Sequence, residues 1–154
     1  MTSWKNNNLL YSMIEASEKT VAKSRKSLDI LINNRIKKQG PNCDLNDIDV
    51  SQITDMSELF SYSKFNGDIS NWDVSNVRNM RGMFMGSKFN GNISHWDVSN
   101  VENMSRMFWG SKFNGNISHW NVSNVENMKY MFKDSPLEGK EPSWYKMYME
   151  STNS

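Results

Sequence analysis

Aspartate and histidine recur at a fixed spacing in this chain, and these residue types can hold a metal ion or contact a basic partner. Asp49, Asp73 and Asp97 lie 24 residues apart, and His95 and His119 have the same spacing. If equivalent residues stack about 5 Å apart, carboxylates and imidazoles come within reach of one divalent ion. The alternative is a solvated, turn-forming ladder copied with the repeat. We favour contact with a partner over metal binding, and we predict no metal and no cofactor.

Serine also recurs, as Ser75, Ser99 and Ser123, but no base is adjacent to these residues in the sequence. Their position suits capping, in which a serine oxygen accepts from a backbone N–H. An active site is normally single and asymmetric, with unlike groups converging in a pocket. Because these polar residues are repeated, the sequence predicts a chain that is not an enzyme.

Positions that differ between near-identical repeats are better candidates for partner contact. Residues 87–108 and 111–132 are identical at 19 of 22 positions, and one difference is Arg106 against Tyr130. Aromatic and arginine side chains dominate the energetics of protein interfaces. The alternative for Trp109 is that it covers a gap between repeats. The residues predicted to bind a partner are Met85, Arg106, Trp109, Tyr130, Asp73, Asp97, His95 and His119.

A 24-residue repeat must position all these side chains. The segment SKFNG occurs at 63–67, 87–91 and 111–115, and VSNV recurs with the same period. A diverged copy precedes these three, and prolines interrupt the copy that follows them. Because stacked repeats complete one another's core, we predict three parts: a basic helical N-terminal cap at 1–40, four repeats at 41–135, and a C-terminal cap and tail at 136–154.

Within one repeat the pattern predicts a turn, a short strand, a second turn and a short helix. The strand is placed at Trp72–Val74, and apolar residues at spacings of three and four from Val77 predict the helix. Ser99 with Glu102, and Ser123 with Glu126, have the form of a capping box. The predicted fold class is an α/β repeat, namely a short leucine-rich-repeat-like parallel β-solenoid with an N-terminal helical cap.

Two further predictions concern the repeat. Trp72, Trp96 and Trp120 follow the apolar pattern, which predicts that they are core residues. Asn66-Gly67 and its copies predict a tight turn, since asparagine and glycine tolerate positive φ.

The N-terminal region is basic, with 8 Lys and Arg against 3 Asp and Glu in residues 1–40. Residues 4–38 contain no Gly or Pro and have helical apolar spacing, which predicts a helix that is either continuous or broken near residues 23–27. Its apolar stripe could dock a second copy and form a homo-oligomer. Four basic residues could meet phosphate, which makes nucleic-acid binding the alternative function: Lys19, Lys23, Arg25 and Lys26.

The segment FNGDISNWDVSNVRNMRGMF at 65–84, together with its copies, resembles the BspA-like leucine-rich repeat family of bacterial surface proteins and mycoplasma lipoproteins. The tryptophan, V-S-N-V, N-M and M-F elements recur three times in order. The resemblance implies a parallel solenoid and a binding role, which is often adhesive in that family.

These observations predict a non-catalytic protein–protein interaction module whose partner is a protein target. A chain of this size suits a small inhibitor or adaptor, such as a phage or mobile-element product that blocks a larger host complex. The sequence has neither the apolar region of a signal peptide nor an apolar stretch of about 18 residues, so we expect a cytoplasmic protein without membrane contact. Besides nucleic-acid binding, the remaining alternative is a surface adhesin-like protein.

Overall fold

The structure is a computed structural model that describes residues 18–153. In chain order its elements are strand β1 (Thr20–Val21), helix α1 (Arg25–Gln39), strand β2 (Ile48–Asp49) and helix α2 (Ser143–Thr152). β1 and β2 pair in parallel, with Thr20 opposite Ile48. Within 18–153, neither helix is long and apolar enough to cross a membrane.

The predicted α/β leucine-rich-repeat-like parallel β-solenoid is wrong. In the described part of the chain the strands are the two-residue β1 and β2, and both helices lie outside the predicted repeats at 41–135. Residues 50–142 form turns, bends and isolated bridges instead of a regular sheet or helices. The chain is a small, turn-rich fold around a buried aromatic cluster.

The predicted strand at Trp72–Val74 is absent, and this segment forms turns instead. The carbonyl of Ile69 accepts from the backbone N–H of Trp72 at 3.2 Å. It also accepts from the indole N–H of Trp96, one repeat later, at 3.1 Å. The N–H of Trp72 therefore closes a local turn, and the Trp96 indole links two repeats through the same carbonyl.

The predicted helix that starts near Val77 is also wrong. The N–H groups of Met80 and Phe84 donate to carbonyls of the following repeat, both at 2.9 Å. An α-helix would need these groups to donate four residues back within the same segment. Between them, Gly82 has a φ of 59°, which is left-handed and interrupts a right-handed helix.

The two predicted capping boxes start no helix. The N–H of Ser99 donates to the side chain of Asp97 at 3.0 Å, and that of Ser123 donates to Asn121 at 3.1 Å. Glu102 forms an ion pair with an arginine of the preceding repeat. These serines therefore belong to turns that an aspartate or asparagine side chain closes.

Equivalent residues of successive repeats lie next to one another. Parallel bridges join Asp55 to Asn79, Asn79 to Asn103, and Asn103 to Asn127, with 24 residues between partners. Backbone N–H groups of one repeat donate to carbonyls of the next along the same row. The repeat period thus decides which side chains become neighbours, although the backbone is neither strand nor helix.

The core is a single cluster of aromatic and aliphatic side chains. The ring centroids of Phe84 and Phe108 lie 5.7 Å apart and their planes are nearly parallel. Trp72, Trp96 and Trp120 are only 4%, 4% and 5% exposed. The prediction that these three tryptophans are core residues is confirmed.

The N-terminal helix is shorter than the predicted span of 4–38. α1 begins at Arg25 because Ser24 and Ser27 cap it reciprocally, each side-chain oxygen accepting from the other residue's N–H. It ends before Gly40, whose φ is 89°. Because β1 precedes α1, the helix does not extend unbroken through residues 20–24. The part of the prediction on residues 4–17 lies outside the described residues.

α1 is tied to the first repeat by apolar packing and by one bidentate ion pair. Leu28 and Ile32 are buried in the core cluster. The guanidinium of Arg35 donates to both carboxylate oxygens of Asp47, at 2.8 and 2.7 Å. This hydrogen bonding raises the pKa of Arg35 and lowers the pKa of Asp47. The pair thus holds both groups in their charged forms.

The Asn-Gly segments are not positive-φ turns, which corrects the reason given for their glycines. Gly67 is not among the residues with positive φ. A Cβ at Gly67 would lie 1.8 Å from the carbonyl oxygen of Cys43, well inside van der Waals contact. The glycine is needed because two backbone segments approach closely there.

Candidate protein-binding surface

One column of equivalent positions has a left-handed backbone in every repeat. Its φ angles are 57° at Glu58, 59° at Gly82, 57° at Arg106 and 58° at Tyr130. Glycine adopts this conformation without strain, whereas in other L-residues it raises the conformational free energy by roughly 1 to 2 kcal/mol. Three of the four repeats therefore place a side chain where glycine would be easier to accommodate, namely Glu58, Arg106 and Tyr130.

Arg106, Trp109, Tyr130 and Lys133 form a cation–aromatic cluster on the surface. The guanidinium carbon of Arg106 lies 5.3 Å from the Trp109 ring centroid and 5.9 Å from that of Tyr130. The Lys133 ammonium lies 5.8 and 5.6 Å from the same two centroids. The two rings are 6.1 Å apart, and Tyr130 is 52% exposed. The cluster thus presents aromatic surface held between two cations.

The Trp109 ring is held in place by a polar contact. Its indole N–H donates to a carboxylate oxygen of Asp134 at 3.1 Å. Met85 occupies the position equivalent to Trp109 one repeat earlier and is half-buried. Of the predicted partner-binding residues, the structure therefore brings Arg106, Trp109 and Tyr130 into one cluster, while Met85 lies one repeat earlier.

Asp73 and Asp97 are exposed, but both close local turns. The side chain of Asp73 accepts from the N–H of Ser75 at 3.0 Å, and Asp97 accepts from Ser99 in the same way. The hydroxyl of Ser99 adds a second hydrogen bond at 2.6 Å. These hydrogen bonds from Ser99 lower the pKa of Asp97. Turn formation thus accounts for the recurrence of these carboxylates.

His95 and His119 are exposed and line one shallow groove of about 560 Å³ together with Asn92, Ser94 and Asn116. Asp73 and Asp97 are not part of this lining. Within residues 18–153, no group of three or more His, Cys, Asp or Glu side chains could hold a metal ion. The geometry thus does not combine the histidines and aspartates into a ligand set.

Of the four basic residues considered for nucleic-acid contact, Arg25 already has partners within the fold. The Arg25 guanidinium pairs with Asp29 at 3.0 Å and donates to the carbonyl of Ser57 at 2.7 Å. Arg25 therefore anchors α1 to the first repeat and is not free to meet phosphate. The other three residues considered for nucleic-acid contact are exposed: Lys19, Lys23 and Lys26.

The predicted set of partner-binding residues did not include Lys133, although this position varies between repeats, and it did not include Asp134. Lys133 occupies the position equivalent to Trp109 in the next repeat, so its variation between repeats was an available signal. Asp134 also differs from Gly86 and Gly110 at the equivalent positions, but its role depends on the distance to the Trp109 indole. The repeat pattern of the sequence also did not predict the left-handed backbone at Arg106 and Tyr130.

Comparison with known proteins assigns a family but no activity. No curated protein matches the chain, and neither does any solved structure. One family model matches residues 31–144, which include most of the core, the cation–aromatic cluster and the groove of the two histidines. The chain therefore belongs to the family described as Mycoplasma protein of unknown function, DUF285.

Proposed function

We propose that this chain is a non-catalytic module that binds another protein through the cation–aromatic cluster of Arg106, Trp109, Tyr130 and Lys133. The observation that carries the proposal is that Arg106 and Tyr130 occupy strained, left-handed positions. A residue whose backbone is unfavourable persists when its side chain contributes something that glycine cannot. Gly82 shows that the fold itself accepts glycine in this column.

The chemistry of the cluster suits a protein partner. Tyrosine, tryptophan and arginine are the residue types most enriched among those that dominate binding energy. The ring contacts and the bond from Trp109 to Asp134 hold the cluster in place before a partner arrives. A pre-ordered surface loses less conformational entropy on association.

A role as a small inhibitor or adaptor in the cytoplasm remains our proposal for the biological setting. We also propose a relationship to BspA-like repeat proteins, which is supported by the recurring order of the tryptophan, V-S-N-V, N-M and M-F elements. That relationship favours binding over catalysis and does not identify the partner.

The test is capture of a partner from a lysate of the source cells by the tagged chain and by its Arg106→Gly and Tyr130→Gly variants. Glycine removes each side chain and is compatible with the backbone at its position. We expect the free energy of unfolding to change by about 1 kcal/mol or less, because relief of strain offsets the greater flexibility of glycine. Recovery of the partner should fall roughly tenfold or more, as expected for an interface residue that contributes over about 1.4 kcal/mol.

The matched control is Tyr62→Gly. Tyr62 also has a positive φ, of 55°, and is 74% exposed, but it lies in the first repeat, away from the cluster. This variant should capture the partner as the natural chain does. Equal capture by all four proteins would rule out the cluster as the binding surface. Loss of the captured material on nuclease treatment would favour nucleic-acid binding instead.

A further inference from the structure

The last repeat has a row of backbone N–H groups that have no hydrogen-bond acceptor among residues 18–153. In earlier repeats the equivalent groups donate to the next repeat, as the N–H of Arg106 does to the carbonyl of Lys129 at 2.9 Å. Within residues 18–153, no acceptor bonds to the N–H groups of Met128, Tyr130 and Phe132. Backbone donors in folded proteins are almost always paired, so this row is an unusual feature.

A groove of about 730 Å³ lies beside this row. Tyr130 and Phe132 line one wall, and Tyr145, Tyr148 and Met149 of α2 line the other. In the earlier repeats the equivalent N–H groups point toward the following repeat. Tyr130 and Phe132 are therefore the two residues of the row that line the groove, and Met128 continues the row outside this lining.

The charged lining of the groove is net positive, with three lysines against two glutamates. Lys129, Lys133 and Lys146 line it, and none of the three forms an ion pair within residues 18–153. Glu138 and Glu141 also line it, but each accepts a backbone N–H of the chain itself at 2.9 Å. The groove is thus complementary to an occupant that supplies oxygen acceptors and negative charge.

Glu138 shows that a carboxylate can serve as the acceptor for an N–H group of this row. Its carboxylate accepts from the N–H of Asp134, the fourth donor of the last repeat. In the repeat before, the equivalent N–H of Gly110 donates to the backbone carbonyl of Lys133 at 2.9 Å. A carboxylate oxygen therefore replaces a carbonyl at one end of the row, and three donors remain.

We propose that this groove binds an extended acidic segment of a partner protein. Oxygen atoms of the segment accept from the three open N–H groups, and its carboxylates pair with Lys129 and Lys146. An extended chain presents carbonyls on one side at every second residue, which matches donors on alternate residues. The inference rests on the proposed protein-binding function and adds to it a groove with a stated chemistry, which shares Tyr130 and Lys133 with the cation–aromatic cluster.

The experiment titrates the full chain with a short capped peptide of alternating glutamate and alanine, and with a lysine–alanine peptide as the charge-reversed control. Binding is followed by amide NMR. We expect the acidic peptide alone to shift the amide resonances of Met128, Tyr130 and Phe132 and to slow their hydrogen exchange. Affinity should fall as salt rises, because the charges are exposed.

Paired variants separate this groove from general charge attraction. Lys129→Gln with Lys146→Gln should weaken binding roughly tenfold, since each exposed ion pair contributes a factor of a few. Lys88→Gln with Lys112→Gln removes two exposed lysines from earlier repeats and should leave the affinity unchanged. Equal weakening by both pairs would overturn the proposal, as would peptide binding that leaves the three amides unaffected.

Two further outcomes distinguish this inference from the proposed function. Arg106→Gly should bind the acidic peptide normally, because Arg106 does not line the groove. If partner capture depends on Arg106 and Tyr130 while the peptide fails to bind, only the groove proposal is wrong. Protection of the three amides in the peptide-free chain, together with a doubled mass in solution, would mean that a second copy fills the groove.

Discussion

At the scale of single residues, short polar side chains decide the backbone conformation at the turns. Asp97 and Asn121 occupy equivalent positions and make the same hydrogen bond to a serine N–H, at 3.0 and 3.1 Å. Either an aspartate or an asparagine oxygen can close this turn. The two residues differ in that only aspartate titrates. The turn that Asp97 closes is therefore sensitive to acid, whereas the turn that Asn121 closes is not.

Asp97→Asn should therefore preserve stability at neutral pH and reduce its loss in acid. The pKa of Asp97 is lowered in the folded chain by its hydrogen bonds with Ser99. A lowered pKa means that the stabilisation is fully present above the unfolded-state value of about 3.9 and is lost as pH falls through the folded-state pKa. Urea unfolding midpoints measured from pH 6 downward should fall less steeply in the variant below about pH 4. A parallel decline of both proteins would show that this carboxylate contributes nothing to the pH dependence.

At the scale of elements, buried indole groups replace the strand ladder that the pattern predicts. The N–H groups of Trp72, Trp96, Trp120 and Trp144 each donate to a carbonyl 27 residues earlier, at 2.9 to 3.1 Å. Each tryptophan thus fills the core and also ties its repeat to the one before. These indole hydrogen bonds add to the backbone hydrogen bonds that also link successive repeats.

Trp96→Phe should lower the free energy of unfolding by about 1 to 3 kcal/mol. The change removes a buried hydrogen bond to the Ile69 carbonyl and leaves part of the indole volume unfilled. Trp109→Phe is the control, because its indole bond to Asp134 is exposed, and we expect a loss of about 1 kcal/mol or less. Denaturant titrations of both variants measure the difference. Similar values for the two would mean that the buried indole ties contribute little.

At the scale of the whole molecule, one apolar cluster joins α1, the repeats and α2. It extends from Ala22 and Leu28 to Leu137 and Tyr145 without dividing into separate cores. Segments that share a core lose their packing together, so unfolding of residues 18–153 should be cooperative.

This continuity predicts that tryptophan fluorescence and far-ultraviolet circular dichroism report a single, coincident unfolding transition. Ile93→Val, in the middle of the core, should shift both probes equally, by about 0.5 to 1.5 kcal/mol. Guanidinium titrations followed by both signals provide the measurement. Separate midpoints for the two signals, or a shift in only one of them, would mean that the repeats unfold independently.

Much about this protein could be predicted from the order of its residues. The 24-residue period identifies which residues become neighbours, because equivalent positions meet when each segment repeats the path of the last. The apolar pattern identifies the buried tryptophans, since burial of large apolar side chains is the main favourable term in folding. Comparison of repeats also selected Arg106, Trp109 and Tyr130, because residues that vary against a constant background are not required by the shared core.

Only the tertiary structure decided the backbone conformation and the grouping of the surface residues. Apolar spacings of three and four from Val77 are compatible with a helix and equally with linked turns, and the bonds from Met80 and Phe84 to the next repeat select turns. The solenoid prediction failed for that reason. The Trp109–Asp134 contact and the three open N–H groups likewise depend on where distant segments meet, which local patterns do not encode.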